Sequence, residues 1–256
     1  MILIVLLVAV LGLIAGSFLT SVVYRLSDLR SILKERSHCP HCKKELGLWD
    51  LIPLLGFVFL LGKCRYCGKK ISWQYPLIES LTAILFVLTY LNFGISFQAA
   101  MIVIILMGLI VVAFYDLSQM LVPDEMLIVI AIFGLALILV PSIVNKTFQP
   151  VLYSLVSAAG YGGFILLLFV ASKGKWIGFG DVKLAFLLGF ILGFPETATG
   201  FFSAFLIGGF WGIIQLAIGK KELRDKVPLA PFLILGFIIA IFWGEKLLAW
   251  YLNMGM

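Results

Sequence analysis

Eight stretches almost free of charge, roughly 1–24, 76–93, 97–115, 125–144, 150–171, 182–194, 200–219 and 228–250, constrain this chain more than any other feature. A helix needs about 20 apolar residues to cross a bilayer. All but the sixth stretch come near that length, and the sixth, 182–194, is short. The mean hydropathy of +1.15 and a charged fraction of 12% agree, since soluble domains carry about a quarter charged residues. The expected fold is therefore an all-α polytopic membrane protein of about eight transmembrane helices. A twelve-residue apolar stretch, "LIPLLGFVFLLG" at 51–62, is too short to span and is expected to fold into a small domain.

Lysine and arginine set the expected orientation. If the N-terminus is outside, the inner segments 25–75, 116–124, 172–183 and 220–227 together hold 17 of the 19 basic residues. The opposite orientation would invert that bias. The first run begins at Met1 with no basic residue before it, and Arg25 follows it, so it reads as a retained span rather than a cleaved signal peptide. The net charge of +6 is thus a matter of topology and calls for no nucleic acid. Three regions follow: a first span at 1–24, a cytoplasmic domain at 25–75, and a helix bundle at 76–256.

The cytoplasmic domain holds all four cysteines, in "CPHC" (39–42) and "CRYC" (64–67), with 21 residues between the pairs. Paired C-x-x-C knuckles resemble a tetrahedral site in which Cys39, Cys42, Cys64 and Cys67 bind Zn2+. Disulfides are the alternative, but the cytosol is reducing. Four thiolates leave no open coordination position, so the metal would be structural. His38 and His41 read as surface residues.

Two carboxylates stand at the inner ends of helices. Asp116 closes the third run, where it faces the negative end of the helix dipole. Asp181 opens the sixth, behind "GFG", and could serve as an N-cap. Gly178 and Gly180 have no side chains, so another helix could approach closely and bring a second carboxylate near Asp181. A third acid, Asp124, follows Pro123 and is expected to cap the fourth helix. Lys183 either snorkels to the interface or pairs with a carboxylate. Asp116 and Asp181 together suggest an aspartic protease pair, in which an ionised carboxylate takes a proton from water and a protonated partner donates to the scissile carbonyl.

These features resemble the type IV prepilin peptidase family of membrane aspartic proteases with a G-x-G-D motif. "GLIAGSFLTSVVYRL" (12–26) is similar to its first-helix signature, "DLIPLLGFVFLLGKCRYC" (50–67) to its cytoplasmic loop, and "YPLIESLTAILF" (75–86) to the start of its second helix. "DLSQMLVPD" (116–124) and "GFGDVK" (178–183) resemble its catalytic segments, and "VPLAPFLILG" (227–236) its final helix. The resemblance implies Asp116 and Asp181 as the catalytic pair. It also implies prepilin or pseudopilin substrates with a short basic leader and an apolar N-terminal helix, cut after glycine at the cytoplasmic face of a bacterial inner membrane. The new N-terminal residue would then be methylated with S-adenosylmethionine. Thr20 stands where many members carry Asn, and Ser118 where many carry a second acid, which makes Asp116 the clearer choice.

The methyl donor's site is not evident from motifs. Glu79, a charge within the second helix, is the polar candidate; a salt bridge or a polar contact bracing the bundle explains it equally. Two other classes compete. A proton-coupled transporter would place its acids near the bilayer midplane, whereas these gather at one face. A membrane adaptor with a zinc domain needs no second aspartate behind G-x-G.

Overall fold

A computed structural model describes residues 2–26, 37–218 and 228–254. Residues 27–36 of the first loop and the basic segment 220–227 lie outside the described residues. The chain divides into two compact units, Met1–Phe114 and Tyr115–Met256, which groups the cysteine loop with the first helices.

In the first unit, α1 (Ile2–Arg25) leads to the cysteine loop, which contains a 3-10 turn (Leu48–Leu51) and a five-residue helix α2 (Leu55–Phe59). Helix α3 (Gln74–Phe93) follows, and then α4 (Phe97–Gln119), whose last turns belong to the second unit. Helices α1 and α3 pack antiparallel. A Cβ on Gly12 would lie 2.6 Å from the Ala83 Cα, and one on Gly16 would lie 2.6 Å from the Glu79 Cα. The contact thus moves backwards along α3 as it moves forwards along α1. Small residues four apart let two backbones approach, which is how helices gain packing energy in lipid. At the end of the pair Tyr24 stacks on Tyr75, with ring centroids 4.9 Å apart, and its hydroxyl donates to Gln74 Oε1 at 2.7 Å.

The second unit holds α5 (Asp124–Val144), α6 (Gln149–Ala171), α7 (Phe179–Leu192), α8 (Glu196–Ala217) and α9 (Ala230–Met254). Helix α7 sits among the other four. It is apolar around its circumference, and Val182, Leu184, Ala185, Leu188 and Ile191 are all buried, as expected of an enclosed helix. Its Gly189 lies against the Ser157 carbonyl of α6, where a Cβ would come within 2.7 Å.

Among the described residues seven helices are long and apolar enough to cross a membrane, and α7 is not one of them. Its 14 residues extend only about 21 Å, short of a hydrocarbon core of about 30 Å. The short sixth run therefore becomes a short helix. Its neighbours are protein rather than lipid, so bilayer thickness does not set its length.

Candidate active site and metal centre

The second unit brings the two expected aspartates together. Asp116 lies in the last turn of α4 and Asp181 in the first turn of α7, and both are nearly out of contact with solvent, 4% and 9% exposed. Asp181 feels the charge of Asp116 directly.

Each carboxylate has one structural attachment and one open oxygen. Gly178, rather than Asp181, is the N-cap of α7; Asp181 sits three residues on, and its Oδ2 accepts the Gly178 N–H at 3.2 Å. This satisfies one of the donors that a helix start leaves unpaired. The backbone N–H of Ala230, the first residue of α9, donates to Asp116. The partial positive charge at that helix start offsets part of the unfavourable dipole at the end of α4. Asp181 Oδ1 and Asp116 Oδ2 are buried without a hydrogen-bond partner. A buried unpartnered carboxylate oxygen is costly and signals an unfilled role.

Gly180 shows why the motif needs glycine between Gly178 and Asp181. A Cβ there would lie 2.8 Å from the Val122 Cβ and 3.2 Å from its Cγ2. What presses on Gly180 is thus the connector between α4 and α5, not another helix as expected. This contact seats the segment following Asp116 on the turn that carries Asp181. A Cβ on Gly178 would meet only Asp181 Oδ2, at an ordinary 3.4 Å.

Asp124, unlike the buried pair, is exposed. Pro123 is the N-cap of α5, which corrects the expected capping role of Asp124. Its carboxylate instead accepts two bonds from Lys183 Nζ, at 2.7 and 2.9 Å. Lys183 is therefore committed to Asp124, and its ammonium also lies 5.4 Å from the centre of the Phe179 ring. Sequence reasoning missed Val122 and Ala230, which act through backbone position. For Ala230 a signal existed: Pro231 marks a helix start, where free N–H groups collect.

In the first unit, Cys39, Cys42, Cys64 and Cys67 place their sulfurs within 4.8 Å of one another. The two knuckles are built alike: Cys39 N–H donates to Lys44 O and Lys43 N–H to Cys39 O, while Cys64 N–H donates to Lys69 O and Gly68 N–H to Cys64 O. Gly68, at φ +69°, makes its turn in the left-handed region that suits glycine. With Zn–S bonds of about 2.3 Å a tetrahedral site has sulfurs about 3.8 Å apart. Cys39 and Cys67 are 3.9 Å apart, close to that spacing, and no two of the four sulfurs are more than about 1 Å beyond it, so the cluster suits such an ion. Burial would raise the Cys39 thiol, but the Cys42 and His41 backbone N–H groups and neighbouring thiols outweigh it and bring it down to about 7. At Cys67 the Lys69 N–H pulls downward, and desolvation with the three other thiols prevails, pushing it up to about 11.

Glu79 is buried in α3. Its Oε2 accepts the Leu54 N–H at 2.8 Å, and the Ser17 hydroxyl also bonds to it. Leu54 has φ 59°, a conformation that residues with a Cβ adopt at a cost of about 1–2 kcal/mol. Glu79 thus ties α1 and a strained turn to α3. Its partners here are protein groups from α1 and the cysteine loop.

Residues 10–93 match the bacterial peptidase A24 N-terminal domain, and residues 102–213 match the type IV leader peptidase family. The chain is 34% identical to a prepilin leader peptidase/N-methyltransferase of Bacillus subtilis, over 96% of its own length and 97% of the relative's. A protein of the same name from Stutzerimonas stutzeri is 30% identical over 95% of this chain and 92% of its own. One from Legionella pneumophila is 31% identical over 86% of this chain and 77% of its own. No solved structure matches.

Proposed function

The chain belongs to the type IV leader peptidase family, and from that premise we propose that Asp116 and Asp181 are the catalytic pair of a prepilin leader peptidase. The carrying observation is that two buried carboxylates from separate helices each keep one oxygen without a partner. In such a pair the two interacting carboxyl groups titrate as a unit and share a proton in the resting state. The ionised member removes a proton from a water molecule, which attacks the carbonyl carbon of the scissile peptide. The protonated member gives its proton to the carbonyl oxygen. Collapse of the tetrahedral species breaks the C–N bond, and the leaving amine takes the proton first drawn from water. Gly178 and Ala230 hold one oxygen of each carboxylate, so the open oxygens are aimed and the carboxylates cannot rotate freely.

The substrate is the basic leader and apolar helix of a prepilin or pseudopilin, cut after glycine. The basic residues Lys173, Lys175 and Lys183 in the segment that carries Asp181, and the gathering of 17 of the 19 basic residues in the segments that lie on the same side, support a cytoplasmic position for the site. N-methylation of the new terminus follows from the family's bifunctional members, with S-adenosylmethionine as donor. Zinc would be held by Cys39, Cys42, Cys64 and Cys67, where it closes the ends of the loop and supplies no reactive position.

The test is direct. The purified chain in liposomes is incubated with a prepilin-type peptide, with and without S-adenosylmethionine, and the products are weighed by mass spectrometry. Cleavage after glycine in both samples, with one added methyl group only when the donor is present, is the expected result. An intact peptide refutes the peptidase reading; cleavage without methylation refutes the second activity alone.

A further inference from the structure

The cysteine loop carries an apolar surface that neither the catalytic pair nor the cysteine cluster uses. Around the 3-10 turn and α2, Phe59 is 80% and Leu61 85% exposed, and Trp49, Leu55, Val58 and Trp73 are exposed with them. In a domain bathed in water this would be an aggregation surface. Its place in the first unit indicates what covers it.

Three observations bear on the occupant. The first is depth. The segment is fastened through the Leu54 N–H to Glu79, the sixth residue of α3, which is about 7.5 Å along the helix axis from Gln74. Interfacial segments sink their apolar faces about 5–10 Å into the boundary between headgroups and acyl chains, and the tether fastens this one beyond the first turn of a helix long and apolar enough to cross a membrane. The second is the backbone. Amides that leave water must find partners in the protein. The N–H groups of Gly56, Val58, Leu60, Leu61 and Gly62 all donate to carbonyls within residues 52–58, and Leu54 donates to Glu79. Gly56 makes this compactness possible, because a Cβ there would lie 2.6 Å from the Asp50 carbonyl oxygen. The third is chemistry. Tryptophans flank the segment, and the exposed Lys63, Lys69 and Lys70 follow it; these residue types favour the headgroup layer of an anionic leaflet.

We propose that residues 49–61, with Trp73 packed on Phe57 at 4.9 Å between ring centroids, form a wedge seated in the lipid interface on the cysteine-loop side of the membrane, with Trp49, Phe59, Leu61 and Trp73 in lipid and the lysines at the phosphates. Glu79 is its anchor. The wedge holds the cysteine domain against the bilayer instead of letting it hang from α1 and α3 into water. This inference rests on α1 and α3 crossing the membrane and is independent of the peptidase chemistry.

The experiment uses the full-length, zinc-loaded protein in liposomes of mixed phosphatidylcholine and phosphatidylglycerol. The photo-crosslinking residue p-benzoylphenylalanine is placed at Phe59 or at Leu61, and the adducts are identified by mass spectrometry. Phospholipid is the expected main adduct at both positions. Adducts to a second copy of the chain or to an added prepilin peptide in place of lipid, or no adduct at all, would overturn the proposal. A second measurement does not depend on the introduced residue. Lipids brominated near the headgroup end of the acyl chain quench tryptophan emission, and Trp49→Phe and Trp73→Phe should each lower the quenchable fraction. A fraction that stays the same or rises in both variants also overturns it.

Discussion

The contact between Gly180 and Val122 offers the sharpest perturbation of the carboxylate pair, because it changes neither carboxylate. Carbon atoms in contact sit about 3.5–4.0 Å apart. The Cβ added by Gly180→Ala would come within 2.8 Å of the Val122 Cβ, so the α4–α5 connector must retreat by about 1 Å. Overpacking of this kind costs about 1–3 kcal/mol. A displacement of about 1 Å in a reacting group can cost about 100-fold in rate. Gly180→Ala is therefore expected to insert and fold while kcat/KM on a prepilin peptide falls roughly 100-fold, since the turn bearing Asp181 and the segment after Asp116 can no longer seat on each other. The same contact predicts a specific rescue. Val122→Gly removes both close atoms and leaves the Val122 Cα, at an ordinary 3.7 Å, as the nearest of those three atoms. Gly180→Ala combined with Val122→Gly should recover a large part of the activity. Val122→Ala keeps the Cβ at 2.8 Å and should not rescue. Gly178→Ala, whose Cβ would meet nothing closer than 3.4 Å, should lose far less than Gly180→Ala. Full activity in Gly180→Ala, or a double variant no better than the single one, would refute this account of the motif.

Further expectations concern the remaining polar groups. Asp116→Asn and Asp181→Asn should each lower peptide cleavage by about 100- to 10,000-fold, because asparagine cannot exchange the proton; substantial turnover by either variant in the mass-spectrometric assay removes that residue from the pair. Asp124→Asn breaks an exposed ion pair worth about 0.2–1 kcal/mol and should keep most of the activity in the same assay. Cys39→Ser with Cys42→Ser should abolish metal binding, read by elemental analysis, and make the cysteine loop the first site of limited proteolysis. Zinc affinity of the unaltered chain should fall as pH falls, because protons compete for the four thiolates, and a chelator titration at several pH values checks the sign. Glu79→Gln keeps an acceptor for the Leu54 N–H and should preserve thermal stability, whereas Glu79→Ala strands that N–H and should cost about 1–3 kcal/mol; loss of methylation in Glu79→Gln with cleavage and stability intact would assign Glu79 to methyl transfer.

Much of this protein follows from properties that are local in the chain. Hydropathy over about 20 residues sets where helices cross, because bilayer thickness is fixed and each span must pair its own backbone. Two C-x-x-C pairs announce a four-sulfur cluster, because a two-residue gap already aims two sulfurs at one point. The carboxylates at 116 and 181 stood out because charge beside an apolar run needs a reason. Only the tertiary structure decided who partners whom. Lys183 is two residues from Asp181, yet it bonds Asp124, 59 residues away. Asp124, which looked like a cap, leaves that place to Pro123. Glu79 takes its partners from α1 and the cysteine loop, and Asp116 takes one from the start of α9. Spacing cannot reveal such pairings, because they depend on which helix faces meet and how closely. Here that closeness rests on side chains that are missing: Gly12, Gly16 and Gly180 each admit a neighbour where a single methyl group would collide.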